Sequence, residues 1–229
     1  MTNFSWSQYW SDRTNGGHRF QNEDFLKKEA QEKIFHMAGG KSLLDFGCGS
    51  GDLLIYFIPE YEWVTGVDFS ESMLEKAQEK IQIFGYTNVQ LIHADDESIW
   101  RKIDQSYDRI INVEVIQYLS IAQIEKFINN AATKLNPDGK IIFFDIIDSR
   151  LFDLWRAGLF SKNSHFVKVC LRLMIIKISN LFKDEPKDIM GYSYDPNIIE
   201  KIAQKYGFQL EYVQSMYYEY RFHAILCRK

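Results

Sequence analysis

The chain has 229 residues, 46% of them apolar and 15% aromatic, enough to bury a sizeable core, and the length alone favours one domain with an appendage over two. A formal charge of −4 lacks the basic balance that marks duplex nucleic acid as a partner and leaves small-molecule chemistry open. The first ten residues carry no basic-then-apolar leader, no stretch of about 18 residues is free of charge, and Cys48, Cys170 and Cys227 form no CxxC pair, so the sequence reads as cytoplasmic with reduced thiols.

Residues 25–37 mix apolar side chains with Lys and Glu, which predicts a solvent-facing helix ending at Gly39-Gly40. Residues 42–46 predict a strand, and 47–51 are too glycine-rich to continue it, so the chain turns there and enters a helix at about 52–57. The rhythm repeats: strand 63–68, helix 70–84, strand 89–93, strand 110–113 preceded by Tyr107-Asp108, helix 121–135, a stop at Asn136-Pro137-Asp138-Gly139, and an apolar strand 140–147. A helix over 197–206 and strands over 209–215 and 221–227 close the chain. Strands alternating with helices predict an α/β fold, doubly wound, with a mostly parallel seven-stranded sheet and helices on both faces.

Residues 149–190 break the rhythm, with eight Lys and Arg against four Asp and Glu, so the segment is positive in an otherwise acidic chain. It is read as an inserted helical lid on a single domain, with 1–40 as an N-terminal helical cap and 41–148 and 191–229 as the core. Its mixed cationic and apolar character also fits a peripheral membrane contact or a subunit interface.

A glycine turn between strand and helix lets a ligand approach the backbone and presents amides near a helix start. A dinucleotide fingerprint, GxGxxG, would need glycine at 52; the chain has Asp52 there and Gly51 before it, so the spacing is GxGxG. Leu43-Leu44-Asp45-Phe46-Gly47-Cys48-Gly49-Ser50-Gly51 resembles motif I of the class I S-adenosylmethionine-dependent methyltransferases. Gly66-Val67-Asp68-Phe69-Ser70-Glu71-Ser72-Met73-Leu74 resembles their acidic second-strand motif, Ala94-Asp95-Asp96 their adenine-side loop, and Asn112 to Leu119 their fourth-strand motif.

That resemblance implies a Rossmann-like core binding S-adenosyl-L-methionine. Asp68 would accept hydrogen bonds from the ribose hydroxyls, Phe69 and Met73 would flank the adenine, and Asp95 or Asp96 would meet its amino group. The backbone around Asp45, Phe46, Gly47, Cys48, Gly49, Gly51, Asn112 and Val113 would hold the methionine portion, with Tyr118 beside it. Against this stand plain structural roles: Asp68 as a cap for the next helix, Asp95 or Asp96 likewise, Met73 as core, Tyr118 as a packed ring. Gln117 stands where many small-molecule members carry histidine.

Methyl transfer from a sulfonium needs alignment more than a strong base. A positioned His, Asp, Glu or Tyr would still help an acceptor that loses a proton, and the candidates are Asp145 and Asp148 after the fifth strand, His165 in the insertion, and the aromatic-rich N-terminus with Tyr9, Trp10, His18 and Arg19. No metal is expected, since His, Cys and paired carboxylates do not cluster in the sequence around the turn. The expected function is methylation, at oxygen or nitrogen, of a small, acidic or partly apolar acceptor, free or carried on an acidic protein. RNA methylation and a non-catalytic nucleotide-binding module are the alternatives, the first disfavoured by the acidic core.

Overall fold

The structure is a computed structural model that describes residues 22–180 and 190–229. The strands are β1 (Ser42–Phe46), β2 (Trp63–Asp68), β3 (Val89–His93), β4 (Tyr107–Val113), β5 (Leu135–Ile147), β6 (Phe208–Gln214) and β7 (Arg221–Arg228). They form one sheet in the order β3-β2-β1-β4-β5-β7-β6. The first five pair in parallel, and β7 runs antiparallel between β5 and β6. The helices are α1 (Glu23–His36), α2 (Leu54–Phe57), α3 (Glu71–Phe84), α4 (Ile99–Lys102), α5 (Ile121–Thr133), α6 (Ser149–Arg156), α7 (Phe166–Asn180) and α8 (Pro196–Lys205).

Side chains alternate across the sheet, and the two faces build two cores. Leu44, Ile110 and Phe143 pack on one side in the same cluster as Phe127 of α5 and Ile199 of α8. Leu43, Ile111 and Phe144 pack on the other with Ala30 of α1, Phe57 of α2 and Ile81 of α3. Each such side chain, once fully buried, contributes about 1.5–3 kcal/mol, so a sheet covered on both faces is the arrangement these apolar strands require.

Local chemistry sets the element ends. Gly85 closes α3 in the left-handed conformation, Ser120 and Gln123 form a reciprocal capping box at α5, and Asp195 caps α8 with Pro196 at its first turn. β5 begins five residues earlier than the sequence predicts. Tyr107 pairs with Leu135 and Arg109 with Lys140, so Asn136-Pro137-Asp138-Gly139 is an irregular excursion within the strand instead of a turn before it.

The predicted exposure of α1 is overturned. Glu29, Glu32 and Lys33 are buried against the sheet while Phe35 faces solvent. The physical reason is a second irregularity in β5: Phe143 pairs with Ala224 and Ile146 with Phe222, leaving Phe144 and Asp145 opposite the single residue His223. Asp145 takes a φ of +58°, a conformation Asp tolerates better than most residues. Lys33 Nζ lies 2.7 Å from the Asp145 carboxylate and 3.3 Å from Glu29, all three side chains fully buried.

The insertion leaves and re-enters the core at one place. Tyr194 N–H donates to the Ile147 carbonyl, Ser149 N–H donates to the Tyr194 carbonyl, and Asp148 and Tyr194 form a bridge. Tyr192 N–H donates to the Gln117 carbonyl at 2.7 Å, and the Tyr194 hydroxyl donates to the Leu119 carbonyl. Residues 149–180 therefore extend from a base stitched to the carboxyl ends of β4 and β5.

Candidate active site

The sheet order reverses between β1 and β4, where helices depart to opposite faces and open a crevice at the strands' carboxyl ends. At the end of β1 the turn folds back on β2: the amides of Gly47 and Cys48 both donate to the Val67 carbonyl, at 2.7 and 2.9 Å. Gly47 and Gly49 have φ of +81° and +55° but face different surroundings. A Cβ on Gly47 would stand 2.3 Å from Val115, whereas one on Gly49 would meet nothing within 4 Å. The first glycine is demanded by the protein's own packing, and the second presents bare backbone to open space.

Asp68 ends β2 beside that opening. Its Oδ2 accepts from the Gly49 amide and its Oδ1 from the Ser70 amide, both at 2.9 Å. One carboxylate thus holds the amide of Ser70, the N-cap residue of α3, and also stands beside the turn. Burial raises its pKa above the ordinary aspartate value, against the opposing pull of the Ser70 and Gly49 amides. An ionised carboxylate has about four acceptor positions, so two remain for a ligand.

Asn112 lies in β4 next to Ile111, the partner of Asp45 across the strand pair. Its side chain is fully buried, and neither its Oδ1 nor its Nδ2 has a hydrogen-bond partner. A buried amide with both ends unmatched costs stability. Gln117 donates to the Tyr118 hydroxyl at 2.9 Å while its own Oε1 has no partner.

The remaining candidates fall around the same carboxyl ends. Asp45 and Phe46 are buried at the end of β1, Cys48 and Gly51 complete the turn, and Val113 is buried at the end of β4. Phe69 is half-buried and Met73 is buried on α3, so Met73 offers little free surface. Asp95 is exposed, but its carboxylate already accepts from the Ser98 and Glu97 amides, which lower its pKa through the Ser98 contacts first. Asp96 is half-buried, with Gln123 Nε2 at 3.4 Å from its Oδ2. Burial, then Asp68 and Asp45, push the Cys48 thiol well above its ordinary pKa, which makes it a poor nucleophile.

The proton-acceptor candidates fare differently. Asp145 is fully buried, its oxygens directed at Lys33 and at the Ser215 hydroxyl 2.9 Å away, so it is a structural ion and not a base open to substrate. Asp148 is likewise buried, capping α6 and holding Arg150 at 2.7 Å. His165 is exposed just before α7, and Tyr9, Trp10, His18 and Arg19 lie outside the described residues.

Two features escape sequence reading. Glu114, just past β4, has a φ of +58° and pairs with Arg221 of β7 at 2.8 Å. The second is a pair of acidic clusters, Glu29-Glu114-Asp145 and Glu32-His36-His223, whose ligand-type atoms all lie within 4.8 Å of one another. Lys33 already neutralises the first through Glu29 and Asp145. In the second, the Asp145 amide donates to His223 Nδ1 at 3.1 Å, so the ring proton sits on Nε2 facing Glu32, and neither nitrogen offers a lone pair to an ion. No periodicity announces these clusters, because each joins residues of α1 to residues far along the chain.

Comparison with known proteins matches residues 43–139 to the family described as "Methyltransferase domain". The chain is 27% identical over 184 residues to (S)-tetrahydroprotoberberine N-methyltransferase of Eschscholzia californica, covering 72% of this chain and 50% of that protein. It is 24% identical over 213 residues to cyclopropane mycolic acid synthase 3 of Mycobacterium tuberculosis, covering 88% of this chain and 68% of the relative. The chain spans about half the length, or less, of the plant N-methyltransferases it matches. Among solved structures, magnesium protoporphyrin IX methyltransferase from Synechocystis PCC 6803, with bound S-adenosylhomocysteine, superposes with a TM-score of 0.65 at 19% identity over 97% of this chain and 98% of that one.

Proposed function

The chain belongs to the class I S-adenosylmethionine-dependent methyltransferases, and from that premise we propose that it methylates a small acceptor at the crevice above β1, β2 and β4. The observation that carries the site is the pairing of Gly49, open on its Cα side, with the Asp68 carboxylate 2.9 Å from its amide. Asp68 accepts the ribose diol with its two spare acceptor positions, and the unmatched Asn112 amide and Gln117 carbonyl supply polar contacts for the methionine end. Phe69 lies against the adenine, while Asp96 is the better placed of the two loop aspartates for the adenine amino group, since Asp95 is spent on a cap. When bound, S-adenosylmethionine supplies an activated methyl group.

The residues of this chain then have to orient the acceptor and exclude water. The insertion springs from the carboxyl ends of β4 and β5, and Trp155 of α6 packs on Tyr220 with ring centroids 4.2 Å apart, so α6 serves as the wall on the acceptor side. The names of two relatives refer to (S)-tetrahydroprotoberberine and to mycolic acid, which supports a partly apolar acceptor. With Asp145 and Asp148 committed, the reaction draws on an acceptor that needs no strong protein base.

Two experiments test this reading. S-adenosylhomocysteine at about 100 times its Kd adds about 2.7 kcal/mol of stability, which for a chain of this size raises Tm by about 5–10 °C. NAD should give no shift, and an NAD shift without one from S-adenosylhomocysteine would replace the assignment with a dinucleotide site. Methyl transfer to an acceptor found by screening apolar amines and acids should survive EDTA. A loss restored by magnesium would show a metal site that this reading lacks.

A further inference from the structure

Helix α7 buries one narrow stripe and leaves the rest of its apolar surface in water. Val169 is buried and Leu173 and Ile176 are half-buried. Val167, Leu171, Met174, Ile175 and Ile178 are between 55% and 69% exposed. At about 100° per residue these five fall within an arc roughly 100° wide. Lys168 and Arg172 border the arc on one side and Lys177 on the other, and the helix contains no Asp or Glu. A contiguous exposed apolar strip of this kind marks a contact surface.

We propose that α7 docks the enzyme on an anionic lipid bilayer, lying flat with the apolar arc at the acyl boundary and the three cations among the headgroups. The charge pattern selects this occupant. A symmetric contact with a second copy would set Lys168, Arg172 and Lys177 against the same cations with no helix carboxylate to pair them, whereas acidic headgroups neutralise all three. At 15 residues the helix is about 22 Å long, and no described helix is long and apolar enough to cross a membrane, so the contact is interfacial. The lipid contact does not depend on the identity of the methyl acceptor.

Vesicle sedimentation of the full chain tests it, using phosphatidylcholine alone and phosphatidylcholine with about a third phosphatidylglycerol, at roughly 0.1 M and 0.5 M salt. The expected result is at least tenfold stronger binding to the anionic vesicles, weakened by the higher salt. Lys168→Glu/Arg172→Glu/Lys177→Glu and, separately, Leu171→Ser/Ile175→Ser/Ile178→Ser should each reduce binding at least tenfold while keeping the melting shift with S-adenosylhomocysteine. Equal recovery with and without anionic vesicles overturns the proposal, as does binding that both triple variants retain. Dimerisation lost in the serine variant, without vesicle binding, assigns the face to a second copy. Binding to polyglutamate but not to vesicles, lost in the charge variant, assigns it to an acidic protein.

Discussion

Asp68→Ala is expected to weaken S-adenosylhomocysteine binding by about 100-fold or more, measured by calorimetry. Hydrogen bonds to a charged group are each worth about 1.5–3 kcal/mol, and the substitution removes both that the diol would make. It also frees the Gly49 amide, now bonded to Oδ2 at 2.9 Å, so the turn loses its tether to β2. The hydrogen bond to the Ser70 amide ahead of α3 is lost too, at about 1.5–3 kcal/mol of stability. Affinity and stability separate the two roles: if Asp68 only holds the Ser70 amide, Tm falls while affinity stays. Asp68→Asn, with one carbonyl oxygen left to accept, should fall between. Because burial raises the Asp68 pKa, affinity in the unaltered protein should decline with falling pH above the ordinary aspartate value of about 3.9, as the carboxylate takes a proton. A flat profile down to that value, together with unchanged affinity in Asp68→Ala, would move the ribose site elsewhere.

The sheet and the turn were legible for a physical reason. A parallel strand covered on both faces is largely apolar, and 42–46, buried at all but its first residue, reads as a strand with its observed bounds, as do 63–68 and 89–93. The GxGxG step took its meaning from the second motif, which places Asp68 at the end of the next strand. The irregular pairings in β5 were not legible, since a register shift is a property of two strands together and leaves no mark on either sequence. For the same reason Asp145 read as a strand-end acid open to substrate. Its partners Lys33, Ser215 and His223 stand some 70 to 110 residues away, and only the folded sheet brings them together. The Lys-Glu pattern of α1 read as a solvated face because charges on a helix usually are solvated, and here the sheet supplied counter-charges that the helix sequence cannot display.

Lys33→Met should therefore be strongly destabilising, costing about 3–5 kcal/mol in chemical denaturation at pH 7.5, because it strands a buried charge. Asp145 shows why. Burial alone would raise its pKa, but the charge of Lys33 first, and then that of Arg221, hold it below the usual carboxylate range. A depressed value means that this carboxylate contributes stability above its unfolded pKa of about 3.9, a contribution lost as pH falls through the folded value. Removing Lys33 reverses the sign: burial then dominates, the folded pKa rises above the unfolded one, and the variant should regain stability as pH falls from 7.5 toward 5. Lys33→Met/Asp145→Asn removes both charges and should lose less than the sum of the two single changes. Neither variant should shift S-adenosylhomocysteine affinity more than a few-fold, because the network sits under α1 and not in the crevice beside Gly49. A Lys33→Met loss below about 1 kcal/mol with no pH slope would mean that water, and not Lys33, neutralises Asp145.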